Sequence, residues 1–319
     1  MNILITGGTG FIGHNVVARL QAQHDVPIMD NQTTYGIIPQ AELTYLIEER
    51  SKKVNYKALY LNDICNDRAV HKIVEMELPD VIIHMASFPR QKVVNANPAL
   101  GADVMIKGLL NLLESAKKHK IRRFVYISSS MVYGDFDDNV TEDYLCNPQG
   151  QYGIMKLCGE QLVKDYARRT GMEYTIIRPS AVYGPLDVND RVISKFMIAA
   201  MRGETLKVHG GSEALDFTYV DDVSDGIVMA ALSNNTVNKT YNITKSHSVT
   251  LAEAAGVIVG IVGKGHIEIQ DRDLDFPKRG LLNIDAARKD FMFDPKVDVK
   301  EGFEKYYNWL LGSTFHICH

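Results

Sequence analysis

Along the first half of the chain, short unbroken apolar runs alternate with stretches whose apolar residues recur every three or four positions. NILIT (2–6), VPIMD (26–30), ALYLND (58–63), DVIIHMA (80–86), RFVYISS (123–129) and YTIIRPS (174–180) read as strands. Continuous apolar or β-branched runs of this kind suit strands covered on both faces. FIGHNVVARLQAQ, with Ile12, Val16 and Leu20 on one face, predicts a helix, as do 40–50, 66–77, 98–119 and 152–170. Alternating strands and helices predict an α/β fold with a doubly wound parallel sheet. The second half is more mixed: a helix over 191–203, a strand then a helix over 216–234, and a strand at 240–244 that can rejoin the first sheet. Residues 246–319 read as a smaller α/β lobe with a helix near 299–311. The expected division is a first domain of 1–178 plus about 218–245, and a second lobe of 179–217 and 246–319. A lobe folded over the carboxyl edge of such a sheet places a cleft at the switch point.

Composition adds mainly exclusions. The 319 residues are 45% hydrophobic with a net charge of −4, enough for a real core and without a basic surface for nucleic acid or membrane. No run of about 18 apolar residues suggests a membrane span, and MNILITGG lacks the basic flank of a signal peptide. Cys65, Cys146, Cys158 and Cys318 form no C-x-x-C pair, which fits free thiols in a reducing cytoplasm. The ten histidines make no convincing metal set: His84 ends a strand and reads as core, and the tail cluster His316, Cys318, His319 sits at a chain end.

Three local patterns carry chemistry. In ITGGTGFIG, Gly7, Gly10 and Gly13 join the first strand to the first helix, where a tight turn lets the backbone and helix N-terminus meet a diphosphate. Asp30 ends the second strand, where a carboxylate accepts from the adenosine ribose and repels a 2′-phosphate; NQTTYG follows with no arginine, favouring NAD over NADP. Asp63 ends the third strand, placed either to meet the adenine or to cap the next helix. Tyr152 and Lys156, at i and i+4, share one helix face. An ammonium beside a phenol of pKa about 10 favours the phenolate, although tyrosine on a helix is more often simple packing.

TGGTGFIG, DN at 30–31, HMAS at 84–87, ISSSMVYG, YGIMK, RPSAVYGP at 178–185 and DFTYVDDV at 216–223 occur together, in one order, over nearly the whole chain. This set resembles the extended short-chain dehydrogenases/reductases, in the NAD-dependent branch that acts on nucleotide sugars. The resemblance implies a Rossmann-type domain holding NAD, with Gly7, Gly10, Phe11, Ile12, Gly13, Asp30, Asn31, Asp63, Ile64, Met85, Ala86, Ser87, Tyr152 and Lys156 at the cofactor. It implies Ser129, three residues before the valine of VYG, as the catalytic hydroxyl beside Tyr152 and Lys156, with Ser128 and Ser130 in support. It further implies a sugar nucleotide under the C-terminal lobe, near Ser130 and Ser180, and a homodimer built on helices 98–119 and 152–170.

The chain departs from the family pattern in places that bear on the reaction. Where the 4,6-dehydratases of the family resemble Asp-Glu after the catalytic hydroxyl, this chain has Ser130 and Met131, and a thioether is no general base. Leu215 stands where an arginine usually grips the substrate diphosphate, Ala181 replaces a common Asn, and Met105 another. Arg90, Arg191, Lys195 and Arg279 are the candidate replacements, Arg279 foremost, against the ordinary alternative of solvated surface cations. The expected activity is oxidation at C4 of a nucleotide-diphosphate sugar, as a 4-epimerase. The alternatives are a 4-dehydrogenase, of the kind used on GDP-heptose, and an NAD-binding sensor without catalysis.

Overall fold

The computed structural model describes residues 1–88 and 90–313; the tail cluster His316, Cys318, His319 lies outside them. Seven parallel strands form the central sheet: β1 (Ile3–Thr6), β2 (Pro27–Asp30), β3 (Ala58–Leu61), β4 (Val81–His84), β5 (Arg123–Ile127), β6 (Glu173–Pro179) and, after β7 (Val182–Tyr183), β8 (Thr205–His209), β9 (Ala214–Asp216) and β10 (Thr218–Tyr219), β11 (Lys239–Ile243). Their order is β11-β6-β5-β4-β1-β2-β3, so the winding reverses between β1 and β4. Thr6 pairs with His84 at that reversal, and Thr6 Oγ1 lies 2.7 Å from His84 Nδ1. His84 is a buried core residue, and its burial pushes the imidazole down to about 3. The 240–244 strand rejoins the sheet as expected, pairing with β6 from Lys239↔Thr175 to Ile243↔Pro179.

Two apolar layers sandwich the sheet. One face carries α1 (Phe11–Leu20), α9 (Val220–Leu232) and α11 (Asp285–Phe291), packed on Ile3, Ile5, Val81 and Ile177. The other carries α3 (Asp67–Glu77), α6 (Gly108–Lys118) and α7 (Gly150–Thr170), packed on Leu4, Ile82, Phe124 and Ile176. Alternate residues of each strand thus enter opposite layers, which is why the strands read as continuous apolar runs. The helix expected over 98–119 begins as α5 (Pro98–Ala102), after a short α4 (Gln91–Ala96), and passes through a wider turn at Asp103–Lys107 before α6. There the Asp103 carbonyl accepts the Gly108 amide five residues on as well as Cys65 Sγ at 3.3 Å.

A separate apolar cluster forms from α8 (Val192–Met201), β8, α10 (Leu251–Val262) and α12 (Val299–Gly312), around Phe196, Met197, Ile258 and Phe303. β12 (Ser248–Thr250) pairs antiparallel with β9, and β13 (His266–Gln270) parallel with β8. The short β7, β8 and β13 escape a reading by apolar runs because each alternates or is only a few residues long. α2 (Gln40–Ser51) lies apart from these layers, with Leu43 and Leu46 packed on Leu186.

A buried polar network crosses the sheet beneath the future site. Glu160 on α7 takes Arg178 of β6 in a two-pronged pair, Nε to Oε1 at 2.9 Å and Nη2 to Oε2 at 2.7 Å. Ser128 Oγ donates to the same carboxylate at 2.6 Å, and Arg178 Nη1 donates to the Tyr133 hydroxyl at 2.9 Å. Tyr133 donates in turn to Asn242 of β11 at 2.7 Å. The side chains of Arg178 and Glu160 are 3% and 0% exposed, so removing one partner strands the other charge in the interior. Glu160→Ala is therefore expected to cost about 3–5 kcal/mol, measured by urea unfolding; a loss under about 0.5 kcal/mol would contradict the pairing.

Candidate active site

The carboxyl ends of β1, β2, β4 and β5 open on one elongated cavity. At its floor the β1–α1 turn is closed by contacts that leave no room for side chains. Gly7 has φ +76°, where an added Cβ would lie 2.7 Å from the Ala86 amide nitrogen, and a Cβ on Gly13 would lie 2.1 Å from the Gly7 carbonyl. Only glycine permits this close turn, and it presents the N-terminus of α1 to the cavity. Asp30, at the end of β2, is held by amides: Thr9 N to Oδ2 at 2.9 Å and Gln32 N to Oδ1 at 2.8 Å. Each oxygen keeps a lone pair for a further donor. This cradle fits a dinucleotide.

Of the residues expected at the cofactor, Gly7, Gly10, Phe11, Ile12 and Gly13 line this cavity from the turn. Asp30 and Asn31 line it from β2, and Ile64, Met85, Ala86 and Ser87 from the β3 and β4 ends. Tyr152 and Lys156 close the far wall. Asp63 itself does not line this cavity, although Asn62 and Ile64 on either side of it do; its Oδ1 accepts the Cys65 amide at 2.8 Å and its Oδ2 accepts Asn31 Nδ2 at 3.0 Å. It fixes the loop and holds Asn31; the cap of α3 is Asn66.

A second cavity, of about 780 Å³, opens between the sheet and the C-terminal elements. The two share a wall. Ser129, Tyr152, Arg90 and Arg191 face both, whereas Asp30 and Lys156 face only the first, and Met131 and Arg279 only the second. Lys156 Nζ donates to the Ile127 carbonyl at 2.7 Å and lies 5.9 Å from the centre of the Tyr152 ring. Burial pushes this ammonium down to about 7, against the pull of Glu160 one helical turn on. Burial also pushes the Tyr152 hydroxyl up, against the opposing pulls of the Arg191 charge and a hydrogen bond with Ser129. In the chain alone, burial thus outweighs these two pulls on the phenol.

The three serines have separate places. Ser128 is tied to Glu160. Ser129 Oγ accepts the Met131 amide at 3.2 Å and keeps its proton for the shared wall. Ser130 Oγ donates to Ser180 Oγ at 3.1 Å; Ser130 borders the second cavity and Ser180 the first. Met131 is 6% exposed and contributes an apolar patch to the second cavity.

The cations divide likewise. Arg191 pairs with Asp187 at 3.0 Å, Lys195 with Asp190 at 2.6 Å, and Arg90 with Asp190. Arg279 has no carboxylate partner among the described residues, and its Nε is buried without a hydrogen bond. Burial pushes its guanidinium down to about 10, so it stays charged at neutral pH. Leu215 and Ala181 border the second cavity and offer it no charge, and Met105 is buried in the core. Asp187 and Arg50, both buried and facing the first cavity, escaped the sequence reading. So did Glu160, although it stands four residues beyond Lys156 on the same helix face. Among the described residues no cluster of His, Cys, Asp and Glu can hold a metal ion, and no helix is long and apolar enough to cross a membrane.

Comparison with known proteins agrees with this geometry. Residues 3–244 match the NAD dependent epimerase/dehydratase family. The chain is 30% identical to a putative UDP-glucose 4-epimerase of Methanocaldococcus jannaschii, over 98% of this chain and 99% of that one. It is 26% identical to the human dTDP-D-glucose 4,6-dehydratase, over 98% and 91%. A solved UDP-glucuronic acid 4-epimerase from Bacillus cereus, in complex with UDP-glucuronic acid and NAD, superposes with a TM-score of 0.89 at 27% identity, over 97% and 98%. The protein belongs to the NAD-dependent epimerase/dehydratase family and is an enzyme of the extended short-chain dehydrogenase/reductase type, with NAD as its cofactor.

The depressed Lys156 gives a pH signature. Its folded pKa lies below the unfolded value of about 10.4, so the unfolded chain binds more protons. The destabilising contribution is complete below about pH 7 and is relieved as the pH rises from about 7 toward about 10.4. The stability of the NAD-free enzyme minus that of Lys156→Met is expected to rise across this window; parallel curves would contradict the burial of a neutral amine.

Proposed function

We propose that the enzyme is a nucleotide-sugar 4-epimerase, with Ser129, Tyr152 and Lys156 as its catalytic residues. The observation that carries the reading is the shared wall: Ser129 and Tyr152 face the cofactor cavity and the second cavity at once. NAD held by the glycine turn and Asp30 would supply the hydride acceptor and donor for C4 of the sugar, and a positive charge beside the phenol. Tyr152 removes the C4 hydroxyl proton and gives it back, Ser129 holds the reacting oxygen, and Lys156 favours the phenolate. Arg279 is proposed to hold the substrate diphosphate that Leu215 cannot, with Arg90 and Arg191 nearer the sugar and Ser130 and Ser180 in support. Met131 offers no base for water loss across C5–C6, which separates this chain from its dehydratase relatives.

Release of the 4-keto sugar, a 4-dehydrogenase activity, is the second reading; the loss of polar groups at Leu215 and Ala181 favours it. The proposed division is a cofactor domain of 1–178 plus about 218–245, with β11 in its sheet, and a substrate lobe of 179–217 and 246–319. We place the enzyme in the cytoplasm, consistent with three unpaired thiols among the described residues.

A panel of nucleotide sugars followed at 340 nm with NMR of the products tests the reaction. An epimer without net NADH is expected; a keto sugar with stoichiometric NADH would replace the epimerase by the dehydrogenase. No turnover of any sugar by NAD-loaded enzyme would overturn both. Tyr152→Phe is expected to lose about 10²–10⁴-fold in turnover while retaining NAD, and wild-type rates would sink the proposed base.

A homodimer through α5, α6 and α7 is also proposed. Leu100 and Ile154 are 37% and 52% exposed on α5 and α7, two adjoining helices. Ile154→Glu is expected to give a monomer by light scattering where the wild type is a dimer.

A further inference from the structure

Arg50, at the C-terminal end of α2, is a buried cation whose partners are all main-chain carbonyls. It is 5% exposed. Its Nε and Nη2 donate to the Leu186 carbonyl at 3.2 and 2.7 Å, and its Nη1 to the Thr9 carbonyl at 3.4 Å. A guanidinium has five N–H groups, so two remain after these contacts. The negative charges that act on it are Asp187, Asp30 and Glu42, and each is engaged elsewhere. Asp187 pairs with Arg191 at 3.0 Å, Asp30 accepts the Thr9 and Gln32 amides, and Glu42 accepts the Asn189 amide at 2.9 Å. Burial pushes the guanidinium down to about 10, which leaves it charged at neutral pH. A buried charge without a contacting counter-ion is costly, and it calls for an anion that arrives from outside the chain.

The surroundings say which anion. Thr9 belongs to the glycine turn, between Gly8 and Gly10. His14, one turn into α1, feels the Arg50 charge, which helps to push its imidazole down to about 3 after the larger effect of burial. Arg50 lines the cofactor cavity with Gly10 and Asp30, and it does not line the second cavity. It therefore stands beside the helix N-terminus that faces a dinucleotide's diphosphate. We propose that Arg50 is a cofactor-binding residue, the counter-charge of the NAD diphosphate, reaching it from α2 across the turn. This rests on NAD occupying the first cavity. Its hold on Leu186 has a second consequence. Leu186 has φ +68° and precedes Asp187, which anchors Arg191 at the shared wall. The same side chain thus joins the cofactor turn to the segment that carries a charge acting on Tyr152.

Three probes separate a diphosphate contact from a structural cross-link: ADP-ribose has the diphosphate, adenosine lacks any phosphate, and UDP belongs to the second cavity. Calorimetry on the full-length wild type, Arg50→Gln and Arg50→Lys reads the affinities. Gln keeps a donor for Leu186 and removes the charge; Lys keeps the charge. Arg50→Gln is expected to weaken ADP-ribose about tenfold to a hundredfold, less at high salt, with adenosine and UDP changed less than about threefold. Arg50→Lys should recover much of the loss. Unchanged ADP-ribose affinity, an equal loss for adenosine, or a loss for UDP alone would each overturn the assignment. ADP-ribose that fails to bind even the wild type would overturn the cofactor site itself.

Discussion

The pair between Glu160 and Arg178 is the constraint on which the site depends. It ties the helix that carries Tyr152 and Lys156 to β6, and through Ser128 to the end of β5. Ser129 is the next residue, so the spacing between hydroxyl and phenol is fixed by a charge pair from which water is excluded. Such a pair contributes little net stability compared with apolar packing. Its directional hydrogen bonds instead define one arrangement of helix and strand ends, which an apolar contact alone would leave looser.

Burial shifts Tyr152 and Lys156 in opposite directions. It drives the amine of Lys156 toward neutrality and the phenol of Tyr152 away from ionisation. Both groups are shifted toward their uncharged forms, and charge brought into the first cavity would change that balance. Arg50 and Arg191 are cations at the same cavity, one held at the glycine turn and the other at the shared wall.

The second cavity is bordered by β7, β8 and β9, each a member of a short two-stranded pair, and by α8, with Leu251 of α10 and Tyr306 of α12. Arg90, Lys92, Arg191 and Lys195 are paired with carboxylates there, whereas Arg279 is a buried cation without a carboxylate partner among the described residues. Met131 and Leu215 give the same cavity an apolar patch.

The order of strands and helices, the glycine turn and the place of Asp30 were legible in the sequence because each is a short-range pattern. Apolar runs mark buried strands, and glycine spacing marks a turn that no side chain can enter. Tyr152 and Lys156 were legible for the same reason, and Ser129 through its distance from VYG. The ionisation of that pair was not, because burial is a property of everything packed around it. Asp63 shows the limit from the other side: its position suggested either the adenine or a helix cap, and the structure gives the cap to Asn66 and ties the Asp63 carboxylate to Asn31 and the Cys65 amide. Arg50 reaches a carbonyl 136 residues away, and Glu160 an arginine 18 residues away on another element. No local periodicity encodes such partners. They exist only once the sheet has brought its carboxyl edge, α2 and the segment after β7 together, and that assembly decided which polar residues face the two cavities.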